Sequence, residues 1–473
     1  MNLTNLLDYT NSIYNLFGEI NTIKRHNVNA KTKSSTSLKM LFCGIVTGND
    51  SVNDIQHMTI KDKVKKSLFA KGEYIPKMHG FRDSINDISS QDIINIHKNM
   101  LLKMKNNKVF DNHTYRNTKV AIVDGIENFE THKEIDGLHI RERSNDNICY
   151  YYKSLGISFL TDSFNLMIDL VPFEKHEIKD DKDKNEKVKS EGEITVLKRS
   201  IPLLTEYNIE VAVMDAMFLN APCLNAIKSA SIDAIIRLKD ERRTIYKDAK
   251  GLFESSNPIK EYEIVEISER KKVTYSKESK KKNTDETTTY TITREISNAT
   301  LNESKVIENK IVEHPKKIVK KEIKEKVIKR IKIWTDIFQL DGYEYNNGCV
   351  RVIKTEETTR DGKGVHTKDM YLVSTNIDED IEFVIDLMHK RWTIELNCFR
   401  TLKSRYHLDH LFIGTRNAIE LITYFIMIIF NIIELYFNVH TRKYKRKINF
   451  KHLLQDFKDE LLNSKNMYLL FKT

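Results

Sequence analysis

Three carboxylates stand where a phosphodiester-cleaving metal site would need them. Asp124 closes the β-branched run Lys119–Asp124 (KVAIVD), and Asp215 closes a second, Ile209–Asp215 (IEVAVMD). Far downstream, Arg391-Trp-Thr-Ile-Glu395, followed by Phe399 and Leu402-Lys403, sets a glutamate, an arginine and a lysine on one apolar-backed helix. Strand ends hold side chains rigidly, and a helix packed on the same sheet can bring a third acid to them. Hard cations such as Mg2+ or Mn2+ take oxygen ligands. Two such ions a few ångströms apart can activate a water or a DNA hydroxyl and stabilise the leaving oxygen. Each acid alone has a plainer role open to it. For Asp124 this is an Asp-Gly turn, for Asp215 a helix N-cap, and for Glu395 an ion pair with Arg391 one helical turn away.

The elements that must position these residues can be read from hydrophobic periodicity. Residues 1–115 read as mostly helical. SLKMLFCGIV has a compact apolar face, and SSQDIINIHKNMLLKMKNNKVF reads as a helix capped by Ser90, with Ile93, Ile94, Ile96, Met100 and Leu101 at helical spacing. KVAIVD then predicts a strand ending in a turn. CYYYKSLGISFLTDSFNLMIDLVPF predicts one or two strands, turning at Gly156 or at Thr161-Asp162, and KHEIKDDKDKNEKVKS predicts a loop. A helix over Glu193–Leu204, the strand ending in Asp215, a helix over Ala221–Ala230 and the strand IDAIIRL complete a β-β-β-α-β-α-β order. That order makes a mixed sheet with helices packed on it. TTTYTITREI, KIWTDIFQL, CVRVIKTEE and DMYLVSTN predict further strands. From Asn376 onward the chain reads as helical, IDEDIEFVIDLMHKRWTIELNCFRTLKSRYHL keeping an apolar face over about seven turns.

Composition narrows the partners. The 473 residues carry a formal charge of +10, with 30% charged and 40% hydrophobic side chains. That balance supports a sizeable core and favours polyanions such as nucleic acid, although lysine-rich composition alone gives the same sign. Residues 316–332 (KKIVKKEIKEKVIKRIK) hold nine basic and two acidic side chains, a solvated face of a helix or long strand, or a surface for DNA backbone. The five cysteines are scattered without a Cys-x-x-Cys pair, which fits a reducing cytoplasm and suggests neither a zinc ribbon nor a disulfide framework. The first residues lack the basic start and apolar core of a signal peptide. LITYFIMIIF, Leu421–Phe430, stops at Asn431 and Glu434, short of the roughly 20 residues that span a bilayer. It reads as a buried core helix, with no membrane partner.

The joint pattern resembles a DDE transposase of a bacterial insertion sequence, of the IS-four type, over roughly residues 35–440. VAIVDGIENFET, VAVMDAMFLNAPCLNAIKSASIDAIIRLKDER and RWTIELNCFRTLKSRYHLDHLF carry the likeness, in that order. The resemblance implies an α/β, RNase-H-like mixed sheet with flanking helices, a β-rich insertion before the last catalytic helix, and an N-terminal helical region. It divides the chain into a helical DNA-binding region (1–115), the first part of the core (116–240), the lysine-rich insertion (241–375), the C-terminal helices of the core (376–445) and a helical tail (446–473). It implies Asp124, Asp215 and Glu395 as catalytic ligands of Mg2+ or Mn2+, two ions, with Arg391 and Lys403 on DNA phosphates near the scissile bond.

The family signature along this helix is Tyr-Arg-Glu-Lys. Met388 stands at the tyrosine position, and Lys403 lies eight residues after Glu395 where the commonest form has seven. Eight residues is about 12 Å along a helix and roughly 80° around it, so the lysine keeps a broad face in common with the glutamate. Trp392 is expected to pack the helix onto the sheet. His407 and His410, a His-x-x-His element, are metal ligands or residues that cap and pack a helix end. The implied activity cleaves element ends and joins the 3'-hydroxyl to target DNA, with terminal inverted repeats and target DNA as partners, a homodimer on DNA, and a bacterial cytoplasmic, nucleoid-associated location. Two other readings use the same residues: a metal-dependent nuclease or resolvase, and an inactive element-derived DNA-binding protein.

Overall fold

Alternation of apolar runs with turn residues produces helices first, then a sheet, then helices again. A computed structural model describes residues 3–27, 30–143, 147–178, 187–280, 287–297, 317–361, 364–440 and 450–463. These form two units. The first comprises residues 1–237, 339–350 and 373–473, the second residues 238–338 and 351–372.

The first unit opens with helices α1 (Leu3–Tyr14), α2 (Leu16–Thr22), α3 (Ser34–Val46), α4 (Val52–Thr59), α5 (Asp62–Leu68), α6 (Met78–Asn86), α7 (Ser90–Asn106) and α8 (Val109–Asn112). The N-cap of α7 is Ser89, not Ser90 as the sequence suggested: the Ser89 hydroxyl accepts the Gln91 N–H. Ser90 is committed elsewhere, its N–H to Asn417 Oδ1 and its hydroxyl to Glu420.

Strands β1 (Val120–Thr131), β2 (His139–Arg143), β3 (Asn147–Leu160) and β4 (Asn165–Pro172) come next. The segment read as a loop has paired arms, β5 (Lys175–Ile178) and β6 (Lys187–Ser190), while residues 179–186 lie outside the described residues. Helix α9 (Glu193–Glu206), β7 (Val211–Met214), α10 (Ala221–Ser229) and β8 (Asp233–Leu238) complete this part. The sheet order is β8-β7-β1-β3-β2, with β4 also on β3. β8, β7 and β1 run parallel, and β3 runs antiparallel to β1. Val120 to Val123 are all buried, as strands covered on both faces require.

The turn expected at Asp124-Gly125 does not form. β1 continues through Gly125 to Thr131, because Gly125 pairs with Leu155 in the ladder and leaves room for the Glu193 side chain. Of the two turn positions offered for the next segment, Gly156 lies inside β3 and the chain turns at Thr161, whose hydroxyl accepts the N–H groups of Ser163 and Phe164.

The C-terminal part holds α12 (Ile381–Lys390), a π-helical turn (Ile394–Phe399), α13 (Arg400–Tyr406) and α14 (Arg416–Leu435). α14 is long and apolar enough to cross a membrane, but it is buried inside this unit against α7 and β4, as a core helix is. Asn431, which interrupts its apolar run, is fully buried: its amide donates to the Met167 carbonyl and accepts the Met167 N–H, both at 2.8 Å. The side chain thereby covers backbone groups of strand β4 that have no strand on that side. Of the helical tail, α15 (Phe450–Asn463) is described, whereas residues 446–449 and 464–473 lie outside the described residues.

In the second unit, α11 (Thr244–Ser255) accompanies β9 (Lys260–Lys280), β10 (Thr287–Ser297), β11 (Lys317–Gln339), β12 (Cys349–Asp361) and β13 (Gly364–Ser374), ordered β10-β9-β11-β12-β13. The lysine-rich stretch is strand from Lys317 to Lys332, paired antiparallel with β9, and Lys316 lies outside the described residues. The buried Phe253 and Tyr371 rings stack 6.4 Å apart, and the Lys354 ammonium lies over Tyr371 and the buried Trp334, 4.6 Å from the Trp334 ring.

Candidate active site

The parallel pairing of β1 with β7 puts two acids at one level. Its register runs from Val120 opposite Val211 to Val123 opposite Met214, and the next residues are Asp124 and Asp215. Asp215 keeps an extended backbone before the short 3-10 turn Ala216–Phe218, and its side chain does not cap that turn. Neighbouring strands lie about 4.8 Å apart, so Asp124 and Asp215 follow the last pair at adjacent backbone positions.

Glu395 reaches that face through a distorted helix. The sequence predicted one continuous α-helix, but at Glu395 the ladder switches to π geometry: the Arg400 N–H donates to the Glu395 carbonyl, five residues back. A π turn inserts one residue and rotates the rest of the helix about its axis, and such turns concentrate at functional sites. Two features hold the turn in place. The Phe399 ring lies on Gly156, where a Cβ would come within 2.5 Å of two ring carbons. Asn165, at the start of β4, donates to Thr393 Oγ1 at 3.0 Å. Gly156 is the β3 partner of Asp124, so the missing side chain lets the helix settle directly beside the first acid.

Arg391 joins the two arms. Its Nη1 donates to Asp124 Oδ2 at 2.8 Å and to Glu395 Oε1 at 3.4 Å. The Arg391, Asp124 and Glu395 side chains are 3%, 17% and 38% exposed. Burial pushes the Asp124 carboxyl up to about 6, opposed by Arg391 and reinforced by the Glu395 carboxylate; the Gly125 N–H donating to its Oδ1 pulls it down slightly. An open groove over this pair is lined by Asp124, Glu395, Phe399, Arg400, Lys403 and Asp409. Lys403 therefore shares the groove with Glu395 despite the longer spacing, since a π turn changes the angle a regular helix would give.

Several expectations change. Trp392 does not pack on the sheet. It is 43% exposed, with its ring 4.7 Å from the Arg391 guanidinium carbon, because Arg391 takes the inward direction and its neighbour must point out. Met388 is buried core and offers no polar atom in place of a tyrosine. His407 ends α13 in a left-handed conformation (φ 56°), its N–H on the Lys403 carbonyl, and the His410 ring meets Phe412 edge-on. Among the described residues no three Asp, Glu, His or Cys side chains already converge as a metal cage. The structure thus brings Asp124, Glu395, Arg391 and Lys403 together, and sets Asp215 beside Asp124 by register without closing it into the same cluster. The donors still suit a hard divalent ion: they are carboxylate oxygens, Mg2+ commonly takes one or two of these plus waters, and a cationic nitrogen already sits between the two. Sequence reasoning missed Gly156, Asn165, Arg400 and Asp409. The signal for Gly156 was present, since an isolated glycine inside a strand often marks close approach of another element.

A mixed sheet with an acid following the last pair of two neighbouring parallel strands fits the RNase-H-like fold of DDE-domain enzymes. The chain belongs to the transposase DDE domain family, whose model matches residues 187–432, more than half of its length. That membership makes DNA the substrate and divalent metal the cofactor class. The match contains Asp215, Arg391, Glu395 and Lys403 and begins beyond Asp124, whose place in the site rests on its pairing with β7 and its bond to Arg391. No curated protein matches the chain.

Proposed function

We propose that the protein is an insertion-sequence transposase of the IS-four type, cutting phosphodiester bonds at element ends and joining the freed 3'-hydroxyl to target DNA. The observation that carries this reading is the bridge from Arg391 to both Asp124 and Glu395, in register with Asp215. Asp124, Asp215 and Glu395 hold Mg2+ or Mn2+, two ions in the active complex, and the metal supplies activation of the attacking oxygen and stabilisation of the leaving one. The chain's own residues orient the DNA. Arg391 suits planar, bidentate contact with a phosphate, and Lys403 acts as a point charge further along the groove. Cleavage and joining are both in-line displacements, so one site serves both. The helical region 1–115 contacts the terminal inverted repeats, residues 116–240 and 376–445 make up the core around the insertion 241–375, and two copies hold two ends.

The test is a product assay on DNA carrying the element's ends, with Mg2+ or Mn2+. Nicks leaving 3'-hydroxyls, and then joined products, are expected. Asp124→Ala, Asp215→Ala and Glu395→Gln should each lower cleavage by about 1000-fold or more while DNA binding persists, the scale on which removing one member of a catalytic unit acts. Activity retained in any of them removes that residue from the metal site. Cleavage without joining would favour a nuclease or resolvase, and DNA binding without cleavage an inactive element-derived protein.

A further inference from the structure

The contact that closes the site also stands where a metal would go. Arg391 Nη1 lies 2.8 Å from Asp124 Oδ2 and 3.4 Å from Glu395 Oε1. These are the oxygens a divalent ion would use. A guanidinium and a divalent cation cannot hold the same carboxylate oxygens, because at a few ångströms two like charges repel by several kcal/mol outside bulk water. The arginine is also incompletely satisfied, since its Nε is buried without a hydrogen-bond partner. An arginine has five N–H donors, and a buried donor left unpaired costs about 1–3 kcal/mol. Arg400 and Lys403 line the same groove among the acids Asp124, Glu127, Glu395 and Asp409, and are the cations there that a DNA phosphate could meet.

We propose that Arg391 is a removable plug of the metal site, so that DNA docking loads the metal. Without DNA the guanidinium neutralises Asp124 and Glu395 together and keeps divalent ions out. With DNA in the groove, a phosphate offers the guanidinium two oxygens in its own plane and draws it off the carboxylates, which are then open to the ion. The coupling is reciprocal: whatever factor DNA adds to metal affinity, metal adds to DNA affinity. The consequence is a site that stays unloaded away from DNA. This rests on the metal-and-DNA reading above.

The experiment is Mn2+ binding to the full-length chain, read from the paramagnetic resonance of the free ion, with and without a short random-sequence DNA duplex and corrected for ion bound by the duplex alone. Wild type should bind Mn2+ about tenfold more tightly with the duplex, a typical coupling size. Arg391→Gln should show the tighter affinity without DNA, and the duplex should add little. Equal or weaker Mn2+ affinity in Arg391→Gln without DNA overturns the proposal. Because a buried substitution can disturb folding, wild type provides an independent arm, and the same affinity with and without duplex also overturns it. Glu395→Gln separates the two failures. If it abolishes Mn2+ binding, the metal reading stands whatever Arg391 does; if it leaves binding unchanged, the metal reading falls and this inference with it.

Discussion

The two arms of the candidate site are held in opposite ways. Asp124 sits inside β1, paired with Gly156 of the antiparallel β3 and one residue beyond the last pair with the parallel β7, so the strand ladder sets its position. Glu395 sits on a π turn whose place depends on side chains: Phe399 over Gly156, Asn165 on Thr393, and Ile394 and Cys398 in the core. A ladder tolerates substitution of the side chains around it, whereas a packed turn transmits them. The helix arm is therefore where small changes should move the chemistry, and the strand arm is where they should not.

Gly156→Ala should break the helix arm most severely. The new methyl would meet the Phe399 ring at 2.5 Å, so the turn carrying Glu395 must shift. Overpacking of this kind costs about 1–3 kcal/mol, and a displacement of about 1 Å at a reacting group can lower the rate about 100-fold. DNA cleavage should fall by that order and recover in part when Phe399→Leu is added. Wild-type cleavage in Gly156→Ala would show that the turn is not held there.

A second test uses pH. Glu434 of α14 is half-buried, and its desolvation pushes the carboxyl up to about 7 against the opposing charge of Arg405 in α13 and the hydrogen bond from Asn438. The folded state thus holds a proton that the unfolded chain, near 4.5, has released. The stability this contributes is complete below about 4.5 and is lost as pH rises through about 7. Glu434→Gln should accordingly be more stable than wild type at pH 8, by on the order of 2 kcal/mol, and no more stable at low pH. Thermal unfolding at the two pH values reads this directly, and a difference that does not depend on pH would count against it.

Asn165→Ala gives the mildest expected effect. It removes one hydrogen bond to the turn, worth about 1 kcal/mol and a few-fold in cleavage. A loss of cleavage as large as that in Gly156→Ala would mean that the polar contact, not the ring packing, sets the turn.

The legibility of the residues divides along the same line. β-branched runs ending in aspartate marked β1 and β7, because a doubly buried strand announces itself by an unbroken apolar run. The buried character of α14 was legible in its short apolar stretch, and the glutamate helix in its spacing. The turn placed at Asp124-Gly125 was wrong, since a glycine that ends a strand and one that admits a neighbour look alike in one dimension. Trp392 went outward for a reason no periodicity carries: Arg391 had two carboxylates to reach.

The amino-acid sequence by itself determined which residues carry charge and oxygen, the order of strands and helices, and the spacing from Arg391 to Glu395, because these depend on local periodicity and residue chemistry. Only the tertiary structure decided that Asp124 and Glu395 meet through one guanidinium nitrogen, that the helix turns π to bring Glu395 there, and that Gly156 makes room for it. Those outcomes depend on packing between segments more than two hundred residues apart, which no local pattern encodes.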